Sequence, residues 1–261
     1  MLKLVRRPVA EFLDTEHQQS LKNRVESAQK LAADVTLTSA QKSSRIGSQW
    51  DNFRAGRTSK GTFAELWREL RNMSFEKCTF CETPSPGTAE HLEEKSKAPG
   101  RAFDWNNLLA ACDTCNRIRE NSGISTAPID PSEVDPLDYF GWDEYGDLAP
   151  APAHTKMVED LRTMYGLHRF GNERRDRILV LRTILSAIVD DDAKNAETVN
   201  TLRVLLNGSR AWLGPVREYL LKPPTDEDAL LVRGVLELLP EIRKLVEPWL
   251  RPPPWAPSWW R

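Results

Sequence analysis

Residues 78–119 read CTFCETPSPGTAEHLEEKSKAPGRAFDWNNLLAACDTCNRIR and hold every cysteine of the chain, in two C-x-x-C pairs: Cys78 with Cys81, and Cys112 with Cys115. Four thiolates complete a tetrahedral zinc site, and a C-x-x-C knuckle points both of its sulfurs at one ion. Thirty residues separate the pairs, where an ordinary zinc ribbon has roughly fifteen to twenty. The insert carries ionisable side chains, Glu90 and His91 foremost, and Asn116 directly follows the last cysteine. A zinc held by four cysteines is coordinatively closed, so it braces a fold and does no chemistry. Any reaction must belong to the inserted residues.

Composition narrows the classes. At 261 residues, 40% hydrophobic and 28% charged, the chain can bury a core as one domain or two. It has no run of eighteen apolar residues, and MLKLVRRPVAEFLDTEH at the start lacks the apolar core of a signal peptide, so the expected location is the cytoplasm. Without an export signal, paired C-x-x-C favours metal over two disulfides. A redox role for C-x-x-C calls for a thioredoxin-like βαβ context, which is not present in the pattern. The net charge of −2 argues against tight, autonomous nucleic-acid binding and makes any basic surface local.

Working outward, residues 1–33 read as a lead-in and then a polar helix with Leu21, Val25, Ala28 and Leu31 on one stripe. Residues 41–60 mix Lys42, Arg45, Arg54, Arg57 and Lys60 with Trp50 and Phe53. Such a mixture can follow a phosphate backbone, but a solvated loop or helix whose two aromatics pack inward is the favoured reading. Thr62-Phe-Ala-Glu65 reads as a capping box that opens a helix with Phe63, Leu66, Trp67 and Leu70 on its apolar face. Within the insert, residues 88–92 read as a short strand, prolines and Gly100 mark loops around it, and a helix runs on from Asn116. Residues 123–153 are rich in proline and acids, with Asp130 a turn residue. From Thr155 onward the periodicity is helical, with a helix spanning about 210–221 and others bounded by Thr225 and Pro240. Arg169, Arg174, Arg175 and Arg177 fit a nucleic-acid path or an ion-paired helix face equally well. The tail PWLRPPPWAPSWWR, with Trp249, Trp255, Trp259 and Trp260, suits a docking element or a segment folded back on its own helices.

The order Glu90-His91, Asn107-Leu108, then Cys112-x-x-Cys115-Asn116 resembles the HNH endonucleases, whose ββα-metal unit is often braced by a four-cysteine zinc. The resemblance implies an α+β, mostly helical chain: residues 1–70 a helical segment, 71–150 the nuclease core with its zinc knuckles, and 151–261 a helical domain with the Pro/Trp-rich tail. It implies His91 as general base, Asn107 orienting its imidazole, and Glu90 with Asn116 holding one Mg2+ or Mn2+ ion. Those roles suit the residue types, since imidazole takes a proton near neutral pH and carboxylate and amide oxygens prefer hard cations. Lys95 is a candidate catalytic cation at the phosphate, and Arg101, Arg117 and Arg119 are candidate nucleic-acid contacts. Many family members end the motif with histidine where this chain has Asn116, which moves the expected metal preference from nickel or zinc toward magnesium or manganese.

Further matches, in CTFCE, His91-x-x-x-Lys95-Ser96, Trp105-Asn-Asn-Leu-Leu, Ile129-Asp130-Pro131 and Asp135-Pro136, are similar to the HNH nucleases of Septu and retron-linked anti-phage systems. Those usually carry proline where this chain has Glu94. The likeness implies DNA as the expected substrate and a partner ATPase of the structural-maintenance or ABC type in a hetero-oligomer. The competing expectation is a non-catalytic zinc module that binds nucleic acid or protein.

Overall fold

The computed structural model describes residues 1–55, 61–124, 126, 128–190, 195–208 and 210–250. Arg57, Lys60 and the tail segment 252–261 lie outside these residues. The architecture is mostly helical with two small antiparallel sheets, in agreement with the α+β expectation.

Three helices precede the cysteines: α1 (Thr15–Ala33), α2 (Ser39–Ala55) and α3 (Thr62–Met73). Asp14 caps α1 by accepting from the His17 amide, and the expected stripe buries Leu21 and Ala28. In α2 the inward reading of the aromatics holds, for Ile46, Trp50 and Phe53 are buried. Helix α3 buries Phe63, Leu66 and Leu70, but Gly61 rather than Thr62 occupies its N-cap and no side chain caps it. Thr62 is one residue too far inside to fulfil the capping-box role.

Strand β1 (Thr88–His91) pairs with β2 (Leu108–Ala111), in a register that sets Glu90 opposite Leu109 and His91 opposite Leu108. Helix α4 (Asp113–Ser122) follows β2 at once, with Cys112 as its N-cap and left-handed Gly123 as its C-cap. Every residue of both strands is buried, with α3 packed against β2 and α4 against β1. A second hairpin, β3 (Phe140–Trp142) with β4 (Leu148–Pro150), was not anticipated; three-residue strands carry too little alternation to stand out in an acidic, proline-rich stretch.

The remainder is helical: α5 (Thr155–Tyr165), α6 (Gly171–Asp190), α7 (Ala196–Leu205), α8 (Leu213–Leu221), α9 (Asp226–Leu238) and α10 (Pro240–Leu250). Thr225 caps α9 as read from the sequence, and Pro240 falls at the break between α9 and α10. The arginine cluster separates into individual roles. Arg174 is buried and donates to the carbonyls of Gly146 and Leu167, while Arg169 donates to the Tyr165 and Gly166 carbonyls. Both therefore brace loops. Asp130 accepts from the amide and hydroxyl of Ser132, the expected turn role, and pairs with Arg6 at 3.5 Å.

Arg217 ties α8 to the central region. It is fully buried, donates to both carboxylate oxygens of Asp135 at 2.7 and 2.6 Å, and donates to the Leu250 carbonyl. Arg217→Ala should cost about 3–5 kcal/mol, because it strands a half-buried carboxylate and a carbonyl. Denaturant unfolding measures this, and a loss below about 1 kcal/mol would show the pair to be dispensable.

Candidate metal centre and adjoining cleft

The four cysteine sulfurs lie within 4.8 Å of one another, and none is in a disulfide. A tetrahedron with metal–sulfur bonds of about 2.3 Å has sulfur–sulfur edges of about 3.8 Å, and Cys81 Sγ and Cys112 Sγ are 3.7 Å apart. The cluster can hold a metal ion such as zinc. The fold assembles it from two local turns. The first knuckle reverses after Cys81 through left-handed Glu82 (φ 62°) and is closed by the Cys78 amide donating to the Thr83 carbonyl. Glu82 is locked by the Met1 amine at 2.6 Å and the Gly214 amide at 2.7 Å. The second knuckle is the first turn of α4, where the Cys115 amide donates to Cys112 Sγ. Between the two, the Thr79 amide donates to the Ala110 carbonyl, which ties the first knuckle to β2. Hydrogen bonding with Cys115 pushes the Cys112 thiol down and, reciprocally, the Cys115 thiol up. Full ionisation of all four needs a cation among them.

Beside this centre a cleft of about 420 Å³ is lined by Glu90, His91, Lys95, Asn116 and Arg119, with Ser43, Trp50, Asp51 and Arg54 from α2 forming the facing wall. Five residues singled out in the sequence thus meet in one place. Strand β1 delivers Glu90 and His91, the loop after it delivers Lys95, and the first turns of α4 deliver Asn116 and Arg119. Lys95 is half-buried, and among the described residues no carboxylate lies within ion-pair distance of its ammonium. The oxygen atoms of Glu90 and Asn116 at one cleft are the donor types that suit a hard divalent ion. Asn116 Nδ2 donates to Glu120 at 3.4 Å, which leaves the amide oxygen, the atom a cation would need, turned from that bond.

His91 is 5% exposed, and its Nε2 lies 2.9 Å from the Ala102 carbonyl. A carbonyl only accepts, so Nε2 carries the proton and Nδ1 keeps its lone pair. The indole of Trp50 meets the imidazole edge-on at 4.4 Å between ring centres, and Phe63, Phe53 and Phe103 surround Trp50 and fix it. This placement corrects the expectation of an unshifted imidazole. Burial, joined by the positive charges of Lys95 and Arg119, lowers His91 to about 3, against the Ala102 bond that raises it. Glu90 moves the other way: burial raises it to about 7, although Arg119 and Lys95 oppose the rise.

These shifts have opposite signs in stability. Below the ordinary histidine value of 6.5 the unfolded imidazole binds a proton that the folded one refuses, so His91 contributes fully above 6.5 and loses its contribution as pH falls toward about 3. Folded Glu90 keeps its proton up to about 7 whereas the unfolded carboxyl releases it near 4.5, so acidification across that window returns stability. His91→Gln isolates the first effect. The stability advantage of the wild type over this variant should shrink by about 2–3 kcal/mol between pH 7 and 4.5. A constant difference in urea unfolding at the two pH values would mean that the imidazole is not held neutral.

Asn107 requires a correction, and the three arginines named as nucleic-acid contacts fall in different places. Asn107 is fully buried, but its side chain accepts from the Glu93 amide at 2.7 Å and donates to the carbonyls of Glu93 and Arg101 at 3.0 and 3.1 Å. It staples the loop whose far end carries Ala102, and the Ala102 carbonyl orients the imidazole. Arg119 is 4% exposed, with Nε 3.0 Å from Glu90 Oε1, Nη2 donating to the Leu92 carbonyl at 2.8 Å and Nη1 donating to the Tyr165 hydroxyl. It is a buried partner of Glu90 at the wall of the cleft. Arg101 pairs with Glu93 and Asp104 and does not line the cleft, and Arg117 is exposed on α4 outside it. A helix period places residues 116, 119 and 120 on one face and 117 on another, which could have separated Arg117 from Arg119. The contact of Trp50 with His91 and the parts of Ala102 and Tyr165 were missed, since they come from long-range packing that no local motif encodes.

Compared with protein-family models the chain matches none, and no curated protein matches it. Among the described residues, no helix is long and apolar enough to cross a membrane.

Proposed function

We propose that this chain is a metal-dependent HNH endonuclease that hydrolyses phosphodiester bonds, with a β-hairpin and helix braced by a structural tetrathiolate zinc. The observation that carries the reading is the convergence of Glu90, His91, Lys95 and Asn116 on one cleft next to the four-cysteine cluster. The bond from Nε2 to the Ala102 carbonyl leaves Nδ1 as the unprotonated nitrogen, the form that a general base needs.

Glu90 and Asn116 would hold a Mg2+ or Mn2+ ion. When bound, that ion would polarise the scissile phosphate and stabilise the departing oxygen. His91 Nδ1 takes a proton from water, the water oxygen bonds to phosphorus, and the bond from phosphorus to the 3′ oxygen breaks; the departing 3′ oxygen takes a proton from a solvent water, leaving a 5′ phosphate and a 3′ hydroxyl, and the imidazolium returns its proton to solvent. Lys95 lies where its charge attracts the phosphate. The anionic substrate also counters the cationic field of Lys95 and Arg119, so the imidazole becomes a stronger base once substrate is present.

The role in anti-phage defence and the ATPase partner rest on the resemblance to Septu and retron-linked nucleases. The low net charge fits a nuclease that relies on a partner for DNA engagement. Incubating the chain with duplex DNA, single-stranded DNA and RNA, with either metal and with or without such an ATPase, tests the reading. Cleavage of DNA to 3′ hydroxyl ends is the expected result. Absence of cleavage of every substrate in the assembled, triggered complex would favour the binding module.

A further inference from the structure

We infer that Arg119 is a positioning residue that makes loading of the divalent ion conditional on a bound phosphodiester. This rests on the nuclease reading of the cleft and adds to it a rule for when the metal enters.

The guanidinium is fixed. The Leu92 carbonyl accepts from Nη2 at 2.8 Å and the Tyr165 hydroxyl accepts from Nη1, while Glu90 Oε1 stands 3.0 Å from Nε as an ion pair without hydrogen-bond alignment. Tyr165 is itself immobile, since its ring stacks on Phe80 of the first cysteine knuckle at 3.7 Å and its carbonyl accepts from Arg169. Arg119 therefore cannot swing away when a cation approaches.

Charge decides the consequence. At the cleft stand Glu90, Arg119 and Lys95, one carboxyl group and two cations. The outer acids offer little relief: Asp51 faces Arg54 at 3.5 Å, Glu94 pairs with Lys97 at 2.8 Å, and Glu120 is exposed. The charge of Glu90 is already engaged, so a divalent ion on its other oxygen meets a fixed like charge on the same carboxylate, in a site shielded from water. One carboxylate and one amide are also few ligands for such an ion. A phosphodiester supplies both a negative charge and further oxygens. Ion and substrate then raise one another's affinity reciprocally.

The test is Mn2+ binding followed by electron paramagnetic resonance on the full chain, with His91→Ala to prevent turnover and with bis(p-nitrophenyl) phosphate as the diester. The diester should tighten Mn2+ binding by about tenfold or more, within the usual range of coupled sites. Arg119→Gln keeps a hydrogen-bond donor and removes the charge. In that variant Mn2+ alone should bind about tenfold tighter and the effect of the diester should fall below about threefold. Mn2+ affinity that the diester leaves unchanged in the Arg119 protein overturns the inference, and this arm needs no substitution at Arg119. So does an Arg119→Gln protein that retains zinc yet binds Mn2+ no tighter. Glu90→Gln separates the two readings: Mn2+ binding indifferent to this change would sink the metal site itself, whereas binding lost with Glu90 but indifferent to Arg119 would sink only the conditional loading.

Discussion

Cys115→Ser, or extraction of the metal by a strong chelator, should abolish cooperative unfolding of this protein. A structural zinc in a small domain supplies about 10–16 kcal/mol at neutral pH, as much as the whole stability of an ordinary domain, about 5–15 kcal/mol. The expected loss exceeds what the surrounding contacts can absorb. Cys115 is fully buried and Cys112 caps α4, so the helix that carries Asn116 and Arg119 begins inside the cluster. Without an ion among them, four thiols would crowd within 4.8 Å, and the two knuckles would lack a common ligand centre. Far-ultraviolet circular dichroism melts, with zinc quantified by mass spectrometry, measure the effect. A metal-free protein that melts at the wild-type temperature would show that the cysteines are packing residues and no more.

The second large effect is on turnover. His91→Ala should lower cleavage by about 10²–10⁴-fold, the contribution of a positioned general base, while leaving zinc content and fold unchanged. The side chain sits at the end of β1, where the backbone is paired with β2, so the strand persists although loss of the buried ring costs stability. His91→Gln should be similarly inactive, because an amide can occupy the space yet cannot take a proton at neutral pH. Retention of more than about a tenth of the wild-type rate by either variant would remove His91 from the base role.

The site was legible in the sequence to the extent that its geometry is local. The cysteine pairs, the strand with Glu90-His91 and the helix from the second pair all follow from spacing within 78–119, and the structure joins them. What spacing cannot convey is which neighbours reach a residue from afar. Trp50 sits forty-one positions before His91 and reads as one aromatic in a basic stretch, yet its ring fixes the imidazole. Arg119 reads as a surface cation because a lone arginine usually is one, and only the approach of Tyr165 and the strand end reveals it as buried. Asn107 illustrates the same limit. Its place in the motif was plain, but its bonds run to the Glu93 and Arg101 backbone, so it acts on His91 through the loop. In the helical half, periodicity located elements such as α5 and α9 because they bury one stripe, whereas α8 is buried nearly all round. The β3–β4 hairpin escaped because its strands are too short to show a period.

Cleavage of plasmid DNA by the wild type and by His91→Ala, with Mg2+ or Mn2+, alone and together with an ATPase of the proposed kind, and with zinc retention verified for both proteins, tests the nuclease reading most directly. Cutting by the wild type with loss of cutting in the variant is the predicted result. Equal cutting by both, or inertness of both in the triggered complex, would contradict it and bring the non-catalytic zinc module forward.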